Sequence, residues 1–507
     1  MQMRLITAYL EATTDRFPDK IAYIDSKREI TFKQLQTEAL KIAGELVANE
    51  LFKSPVVIYL EKSVECIASF VGSAYSGNFY TPIDVKMPLE RVKKILNTLQ
   101  PKVIITDAEH KDSIQTVSEN AKIILYEDCL SEDIDFVRVK QATERVIDTD
   151  ILYVLFTSGS TGEPKGVIIP HCSAVDYVDW ITERFGFDEH IVIGNQAPLY
   201  FDLSIQDVYA PLKSGCTTVL IDERNFTFPA KLMQYLVEKN VNTIVWVPSA
   251  LCLFANLKAL NTKKRLPNLK YVMFCGEVMP NKQLNQWRKA FPQTTFVNMY
   301  GPTESCDAST YYVVNRNFAD SDSLPIGIPC KNTDILVLDE ENKLITEKNC
   351  IGELCVRGTS LALGYYKDFE KTNNAFVQNP MNTEYPEKIY RTGDLVYYNE
   401  YGELMYSCRK DFQIKHMGHR IELGEIEAAV SSLEGILENC VLYDSAHDKI
   451  VLFYSGRGTT DEVVLQQVKN LVPHYMIPEK LVFIKALPHN LNGKIDRALL
   501  KKSLEEK

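Results

Sequence analysis

From about Thr31 to Asp107, short apolar runs alternate with stretches whose apolar positions recur at helical spacing. SPVVIYLE, PKVIITD and AKIILYE read as strands, and VECIASFVGSAYSG reads as a helix between two of them. Strand-like runs that are apolar on both faces and separated by helical segments predict parallel βαβ units. The rhythm returns further on, where TTVLID, NTIVWVPSA, KYVMFCGE and TTFVNMYG alternate with the helix-like PAKLMQYLVEKN and PNKQLNQWRKAF. Two α/β layers are expected.

Between about Ser323 and Cys408 the pattern changes to short strands and turns: DILVLDEENKLI, IGELCVRG and KIYRTGDLVYYNEYGELMYS. A small antiparallel β-region is predicted there. After Asp411 a compact α+β tail follows, with a helix at GEIEAAVSSLEGI that sets Ile426, Val430 and Leu433 on one face. No repeat interrupts this order. The best boundary lies at Arg409–Lys410–Asp411.

A chain of 507 residues exceeds one ordinary core, so about two to four domains are expected. A net charge of −11 argues against general affinity for nucleic acid or anionic lipid. The twelve cysteines are scattered without a CxxC pair or a Cys/His metal spacing, a usage that fits a reducing cytoplasm. The N-terminal MQMRLITAYLEATTDRFPDK reads as an amphipathic helix without the apolar centre of a signal peptide. No run approaches a membrane span.

The chemically informative segment is LFTSGSTGEPKGV, from Leu155 to Val167, directly after the apolar ILYVLF. Ser158, Gly159, Ser160, Thr161 and Gly162 let backbone N–H groups approach an anion and add hydroxyl donors, and Lys165 supplies a positive charge. A flexible Ser/Gly turn is the bland alternative, made less attractive by the preceding strand and the PKG that follows. The segment does not fit the Walker pattern around Lys165, and it contains no G-x-S-x-G elbow.

TSGSTGEPKG resembles the phosphate-loop motif of the adenylate-forming superfamily, which comprises acyl-CoA synthetases, peptide-synthetase adenylation domains and luciferases. NMYGPTE at Asn298–Glu304, YRTGD at Tyr390–Asp394, RKDFQIK at Arg409–Lys415 and NGKIDR at Asn492–Arg497 continue the resemblance in the family's order. It implies an α/β multidomain fold. A large N-terminal domain (1–408) of two α/β subdomains plus a β-barrel is joined through a hinge at 409–411 to a small α+β C-terminal lid (412–507).

The resemblance also implies roles. ATP would be held by Thr157 to Gly162, Lys165, Asn298, Tyr300, Gly301, Thr303, Asp394, Arg409 and Lys494. Lys494 is the catalytic candidate, a fixed charge between the substrate carboxylate and the α-phosphate. Its bland alternative is a solvated tail lysine. Glu304 is expected to coordinate Mg²⁺, since a carboxylate beside polyphosphate otherwise repels it. Tyr300 offers a ring for adenine, and Asp394 offers two acceptor oxygens for the ribose hydroxyls, although a plain turn aspartate is also possible. Asp411 matches the hinge, with Gly418 flanking the thiol's path. Cys408 stands where the family has glycine before Arg409, which puts free hinge motion in question.

In NQAPLYFDLS, Asp202 matches the position that holds the α-ammonium in amino-acid-activating members. Asp is also a favoured helix N-cap, and LSIQDVYAPL follows it. Leu203, Gln206, Val245, Met273, Cys275, Met299, Asp307 and Ala308 are expected around the side-chain pocket, with Met273, Cys275 and Met299 favouring a small side chain. MFCGEVMP together with FDLS looks similar to the stand-alone D-alanine–carrier protein ligases of the Dlt type. Gln206 and Asp307 depart from the apolar residues of those enzymes. Asp307 either faces the pocket, favouring a substrate with a hydroxyl or amine, or faces solvent.

The expected activity is AMP-forming activation of a small amino acid, D-alanine favoured, with transfer to the phosphopantetheine of a carrier protein. Because no carrier segment follows NGKIDRALLKK, that carrier is expected to be a separate protein. A different polar or cationic amino acid is the alternative substrate, and an acyl-CoA ligase the alternative enzyme.

Overall fold

The computed structural model describes residues 4–131, 134–159, 163–261, 266–410, 413–489 and 495–505. The chain divides into two compact units. One comprises Met1–Val85, Leu99–Leu155 and Gly166–Lys410; the other comprises Lys86–Thr98, Phe156–Lys165 and Asp411–Lys507.

The apolar runs become two large, mostly parallel sheets. A nine-stranded sheet carries Val192–Asn195, Thr243–Trp246, Tyr271–Phe274 and Thr295–Tyr300. Tyr271 pairs with Thr243 on one side and Thr295 on the other, so the C-terminal ends of these strands lie together. A seven-stranded sheet contains Pro55–Tyr59, Phe79–Pro82, Val103–Thr106, Lys122–Leu125, Ile151–Thr157 and Lys165–Pro170. Pro55–Tyr59 and Val103–Thr106 are buried along their whole length, as expected of strands covered on both faces.

The helix Val64–Tyr75 is buried on every side. Gly72 explains how closely it meets the helix Phe32–Ala48: a Cβ there would lie 2.8 Å from Ile42 Cβ and 2.9 Å from the Ala39 carbonyl oxygen. The stretch NTIVWVPSA splits in two, because Pro248 opens the helix Pro248–Asn256, where its missing N–H costs nothing.

The antiparallel region is a five-stranded sheet of Thr333–Leu338, Gly352–Gly358, Lys388–Tyr398, Phe376–Gln378 and Leu404–Arg409. Its register sets Asp394 opposite Arg409.

In the second unit, the hairpin Gln413–His416 and His419–Glu422 turns through Met417 and Gly418, both with positive φ. The strands Ile436–Asp444, Lys449–Gly456 and Lys480–Phe483 form its sheet. The helix Leu423–Ser431 packs Ile426 and Val430 into the core of this unit, with Leu433 half-buried just beyond its end.

Among the described residues no helix is long and apolar enough to cross a membrane. Among the described residues no cysteine is joined in a disulfide.

Candidate functional site

The TSGSTGEPKG segment begins at the end of the strand Ile151–Thr157 and ends in the strand Lys165–Pro170. Ser158 is buried and donates its hydroxyl to the Arg420 carbonyl at 2.8 Å. The Thr157 hydroxyl is buried without a hydrogen-bond partner. A Cβ on Gly159 would lie 2.1 Å from the Glu163 carbonyl oxygen, so only glycine lets the chain close here. Lys165 opens the returning strand. Ser160, Thr161 and Gly162 lie outside the described residues, as do Asp411 and Lys494.

In the first unit, a cluster forms where the strand Thr295–Tyr300 ends. The Tyr300 hydroxyl donates to Asp394, and Arg409 Nη1 lies 3.1 Å from the other carboxylate oxygen of Asp394. Arg409 also donates to the Thr392 carbonyl at 2.6 Å. Gly393 has a φ of +71°, and a Cβ there would stand 2.9 Å from the Arg409 guanidinium. The glycine of YRTGD thus makes room for the arginine. Burial pushes the Tyr300 phenol well up, with the Asp394 charge adding to it, so the hydroxyl stays a donor. Asn298 is buried and donates to the Pro325 carbonyl at 2.8 Å.

The chain then turns sharply. Thr303 and Glu304 are buried in the single 3-10 turn Thr303–Ser305. Tyr365 donates its hydroxyl to Glu304 Oε1 at 2.7 Å. Cys306 and Asp307 follow with φ of 49° and 70°, and Ser309 N–H closes the turn on the Tyr300 carbonyl at 2.7 Å. A Cβ on Gly301 would overlap the Asp307 carbonyl oxygen at 2.0 Å.

That turn sets Asp307 into a second cluster. Asp202 begins a 3-10 turn, and its Oδ1 accepts the Leu203 N–H at 3.0 Å. The helix Ile205–Ser214 begins after Ser204 without a side-chain cap, so Asp202 does not serve as its N-cap. Gln206 is fully buried, accepts from the Tyr177 hydroxyl at 3.2 Å and donates to Met273 Sδ at 3.5 Å. Val245 and Met273 are register partners on adjacent strands. Leu203, Cys275, Met299 and Ala308 are also buried.

Asp307 is only 2% exposed, which answers the open question of its orientation: it faces the interior. Burial pushes its carboxyl well above the ordinary range and the neighbouring Asp202 charge adds to this, while Tyr177 and the Gln206 N–H oppose it. Asp207, one residue beyond Gln206, is pushed up to about 7 by burial, with Asn195 and Lys62 holding it down. The stretch before Asp202 is pinned by Lys62, which donates to the Gln196 carbonyl at 3.1 Å, and by Asn195, which donates to Asp207 at 2.8 Å.

A family model described as AMP-binding enzyme matches residues 10–366. The chain belongs to this family.

As an AMP-binding enzyme it is similar to two proteins named D-alanine–D-alanyl carrier protein ligase. The one from Staphylococcus haemolyticus is 32% identical over 501 residues, covering 95% of each chain. The one from Bacillus cytotoxicus is 32% identical over 513 residues, covering 97% of this chain and 98% of the relative. In fold, it matches the Vibrio cholerae adenylation domain AlmE, solved with glycyl-adenosine-5'-phosphate, with a TM-score of 0.84 and 22% identity over 100% of this chain and 99% of that one. An artificially fused adenylation–PCP di-domain from Klebsiella oxytoca gives 0.81 and 21%, covering 95% and 94%.

Several members of these clusters escaped the sequence reading. Tyr177 and Cys330 come from distant segments to where the Asp307 charge raises the pKa of each, and nothing local to either marks them. Tyr365, the partner of Glu304, lies in an ordinary GYY. Thr392 carried a signal, since it stands inside YRTGD.

Proposed function

We propose that this AMP-binding enzyme joins an amino-acid carboxylate to the α-phosphate of ATP, releases pyrophosphate, and passes the aminoacyl group to the phosphopantetheine thiol of a separate carrier protein. D-alanine is the favoured substrate, supported by the names of relatives that match this chain over almost its whole length.

The observation that carries the reading is the segment from Asn298 to Ala308. Asn298 and Tyr300 alternate with Met299 along one strand, so they point to opposite faces of the sheet. Glu304 follows in the turn, and Asp307 and Ala308 follow Glu304. One tightly closed stretch therefore builds the nucleotide-side cluster, a buried carboxylate and one wall of an acidic pocket.

In this reading Asp202 holds the substrate's α-ammonium. It is only half-buried and lies near a second acid, so a cation is the group this position favours. Leu203, Gln206, Val245, Met273, Cys275, Met299, Asp307 and Ala308 surround the side chain. Asp394 receives the ribose hydroxyls: two of its roughly four acceptor positions serve Tyr300 and Arg409, which leaves two. Asn298, Gly301 and Thr303 line the nucleotide side, and Thr157 to Gly162 with Lys165 hold the phosphates.

The two anions that must meet repel each other, and Lys494 supplies the fixed positive charge that offsets this as the carboxylate oxygen bonds to the α-phosphorus and pyrophosphate leaves. Asp411 is the hinge about which the C-terminal lid exchanges this step for thioester formation, and Gly418 then flanks the thiol's path. In that second step the thiol sulfur bonds to the acyl carbon, AMP leaves and the thiol proton goes to solvent.

Glu304 fits Mg²⁺. Among the described residues no three His, Cys, Asp or Glu side chains gather as a cage, and Mg²⁺ is commonly held by one or two carboxylates together with nucleotide phosphates. The ion would neutralise polyphosphate charge when bound. A cytoplasmic location belongs to the same proposal, supported by twelve cysteines none of which is joined in a disulfide.

The test is amino-acid-dependent exchange of labelled pyrophosphate into ATP, followed by thioester formation on candidate carrier proteins. Exchange supported by D-alanine or another amino acid is expected. Exchange that only free fatty acids support indicates an acyl-CoA ligase instead.

A further inference from the structure

The hairpin that receives the Ser158 hydroxyl is itself tied down at one histidine. His416 is only 3% exposed, and both of its ring nitrogens face carboxylates. Nδ1 lies 3.0 Å from Asp448 Oδ1, and Nε2 lies 2.9 Å from Glu479 Oε1. The two acids come from different segments. Asp448 stands between the strands Ile436–Asp444 and Lys449–Gly456, and Glu479 directly precedes the strand Lys480–Phe483. Each is held in turn: Asp448 Oδ1 also accepts the Tyr443 hydroxyl, and Glu479 Oε2 accepts the Ile450 N–H at 2.7 Å.

A carboxylate only accepts hydrogen bonds, whereas a neutral imidazole donates at one nitrogen and accepts at the other. A neutral His416 would therefore turn a lone pair on one of its two acids. Only the doubly protonated ring donates to both, and such charge-assisted bonds are the stronger kind. His419, its register partner across the turn, stacks on Tyr475 with ring centroids 3.6 Å apart. Burial, with the His416 and His474 charges adding to it, lowers His419 to about 3, so that ring stays neutral beside a charged His416. The Tyr443 ring meets His416 edge-on at 5.8 Å. Lys415 and Arg420 are the cationic neighbours along the hairpin, and Lys449 and Lys480 follow the two acids in sequence.

The clamp lies one step from the TSGSTGEPKG segment. The pair His416–His419 adjoins the pair Lys415–Arg420, and the Arg420 carbonyl accepts the Ser158 hydroxyl at 2.8 Å. Arg420 Nε donates to Gln413 Oε1 at 2.7 Å, and the Gln413 amide donates to Glu422, which ties the two strands of the hairpin together. Ser158 spends its hydroxyl proton on this hairpin. What the hairpin controls is therefore where the backbone of the segment sits.

We infer that His416 is a positioning residue for the nucleotide step: its charged ring, clamped by Asp448 and Glu479, fixes the hairpin that seats Ser158, so the hold on ATP weakens as the ring loses its proton. This rests on the phosphate-holding role given to residues 157–162 above and adds a pH dependence to it. Histidine is the side chain whose charge changes within the physiological range. Loss of the proton leaves one carboxylate facing a bare ring nitrogen.

The experiment follows pyrophosphate exchange by the full chain between about pH 5.5 and pH 8.5. It takes kcat/KM for ATP of the parent divided by that of His416→Gln, a ratio that cancels the titration of ATP itself. The ratio should be about fivefold at the acid end, as for one hydrogen bond, and should fall to near one at the alkaline end. The same ratio for the amino acid should stay flat. Its midpoint should match the titration of the His416 ring, read by NMR on histidine-labelled protein. Asp448→Asn removes one of the two charges at a side chain that is 65% exposed. It should move both midpoints together to lower pH by about half a pH unit or more. In a Ser158→Ala background, His416→Gln should alter kcat/KM for ATP less than about twofold.

A ratio constant across pH overturns the inference, and so does a midpoint that ignores Asp448→Asn or an effect that survives Ser158→Ala. Asp448→Asn carries the test alone should His416→Gln fail to fold. Exchange that no amino acid supports overturns the parent reading, and the NMR titration then decides the clamp. A His416 ring with a single N–H at the acid end overturns it.

Discussion

Arg409 Nη1 lies 3.1 Å from Asp394 Oδ1, and the two residues face each other in register on adjacent strands. Both are largely buried, so the pair is screened little by solvent. Its other partners, the Tyr300 hydroxyl and the Thr392 carbonyl, fix both side chains before any nucleotide arrives. Asp394→Ala removes the proposed ribose acceptor and strands the guanidinium. Hydrogen bonds to charged groups contribute about 1.5–3 kcal/mol, so KM for ATP in the exchange assay should rise about 10- to 100-fold. An unchanged KM for ATP in a folded variant would remove Asp394 from the nucleotide site.

Asp202 should separate the two substrates. Asp202→Ala deletes the proposed partner of the α-ammonium, and breaking such a partly buried pair costs up to about 3–5 kcal/mol. KM for the amino acid should rise by about two orders of magnitude or more, while KM for ATP should move little. Equal effects on both constants would point to a structural role for this turn.

Gly301 ties both clusters to one turn. Its Cβ position falls 2.0 Å from the Asp307 carbonyl oxygen and 2.7 Å from Ala308 Cα, and backbone atoms cannot yield as a flexible side chain would. Gly301→Ala should lower stability by roughly 2–4 kcal/mol and raise both KM values together. Denaturant unfolding and exchange kinetics on the same sample provide the check. A variant as stable and active as the parent would show that the turn is not tight.

The fold is legible in the sequence where physics is local. Parallel strands buried on both faces must be apolar throughout, which is why PVVIY and VIIT stand out. Gly393 of YRTGD and Gly159 of TSGSTG stand where a Cβ would strike an arginine or the returning chain. The interior position of Asp307 was not legible, because it depends on two left-handed residues that are not glycine. Nor was the grouping of Lys86–Thr98 and Phe156–Lys165 with the C-terminal residues, which rests on contacts distant in sequence such as the buried Arg91–Glu425 ion pair. Pro248 did carry a readable sign, since proline favours the first helical position, yet the apolar run preceding it masked the change.

His171 gives a pH dependence. It is buried, its Nδ1 has no hydrogen-bond partner, and burial lowers its pKa to about 4 against the weaker pull of Asp150 and Asp148. A base whose folded pKa is depressed contributes no penalty above its unfolded value near 6.5. As pH falls from about 6.5 to about 4, the unfolded state takes up the proton first and folding loses on the order of 3 kcal/mol. Urea midpoints should therefore fall between pH 7.5 and pH 4.5, and His171→Gln should flatten that fall. An equal slope in the variant would place the acid sensitivity elsewhere.

The most direct test of the whole account is exchange of labelled pyrophosphate into ATP across a panel of D- and L-amino acids headed by D-alanine, with the parent chain and Lys494→Ala side by side. Exchange that requires an amino acid and drops roughly 10²–10³-fold in the variant is the predicted result. Exchange that ignores amino acids, or that persists at the parental rate without Lys494, would contradict it.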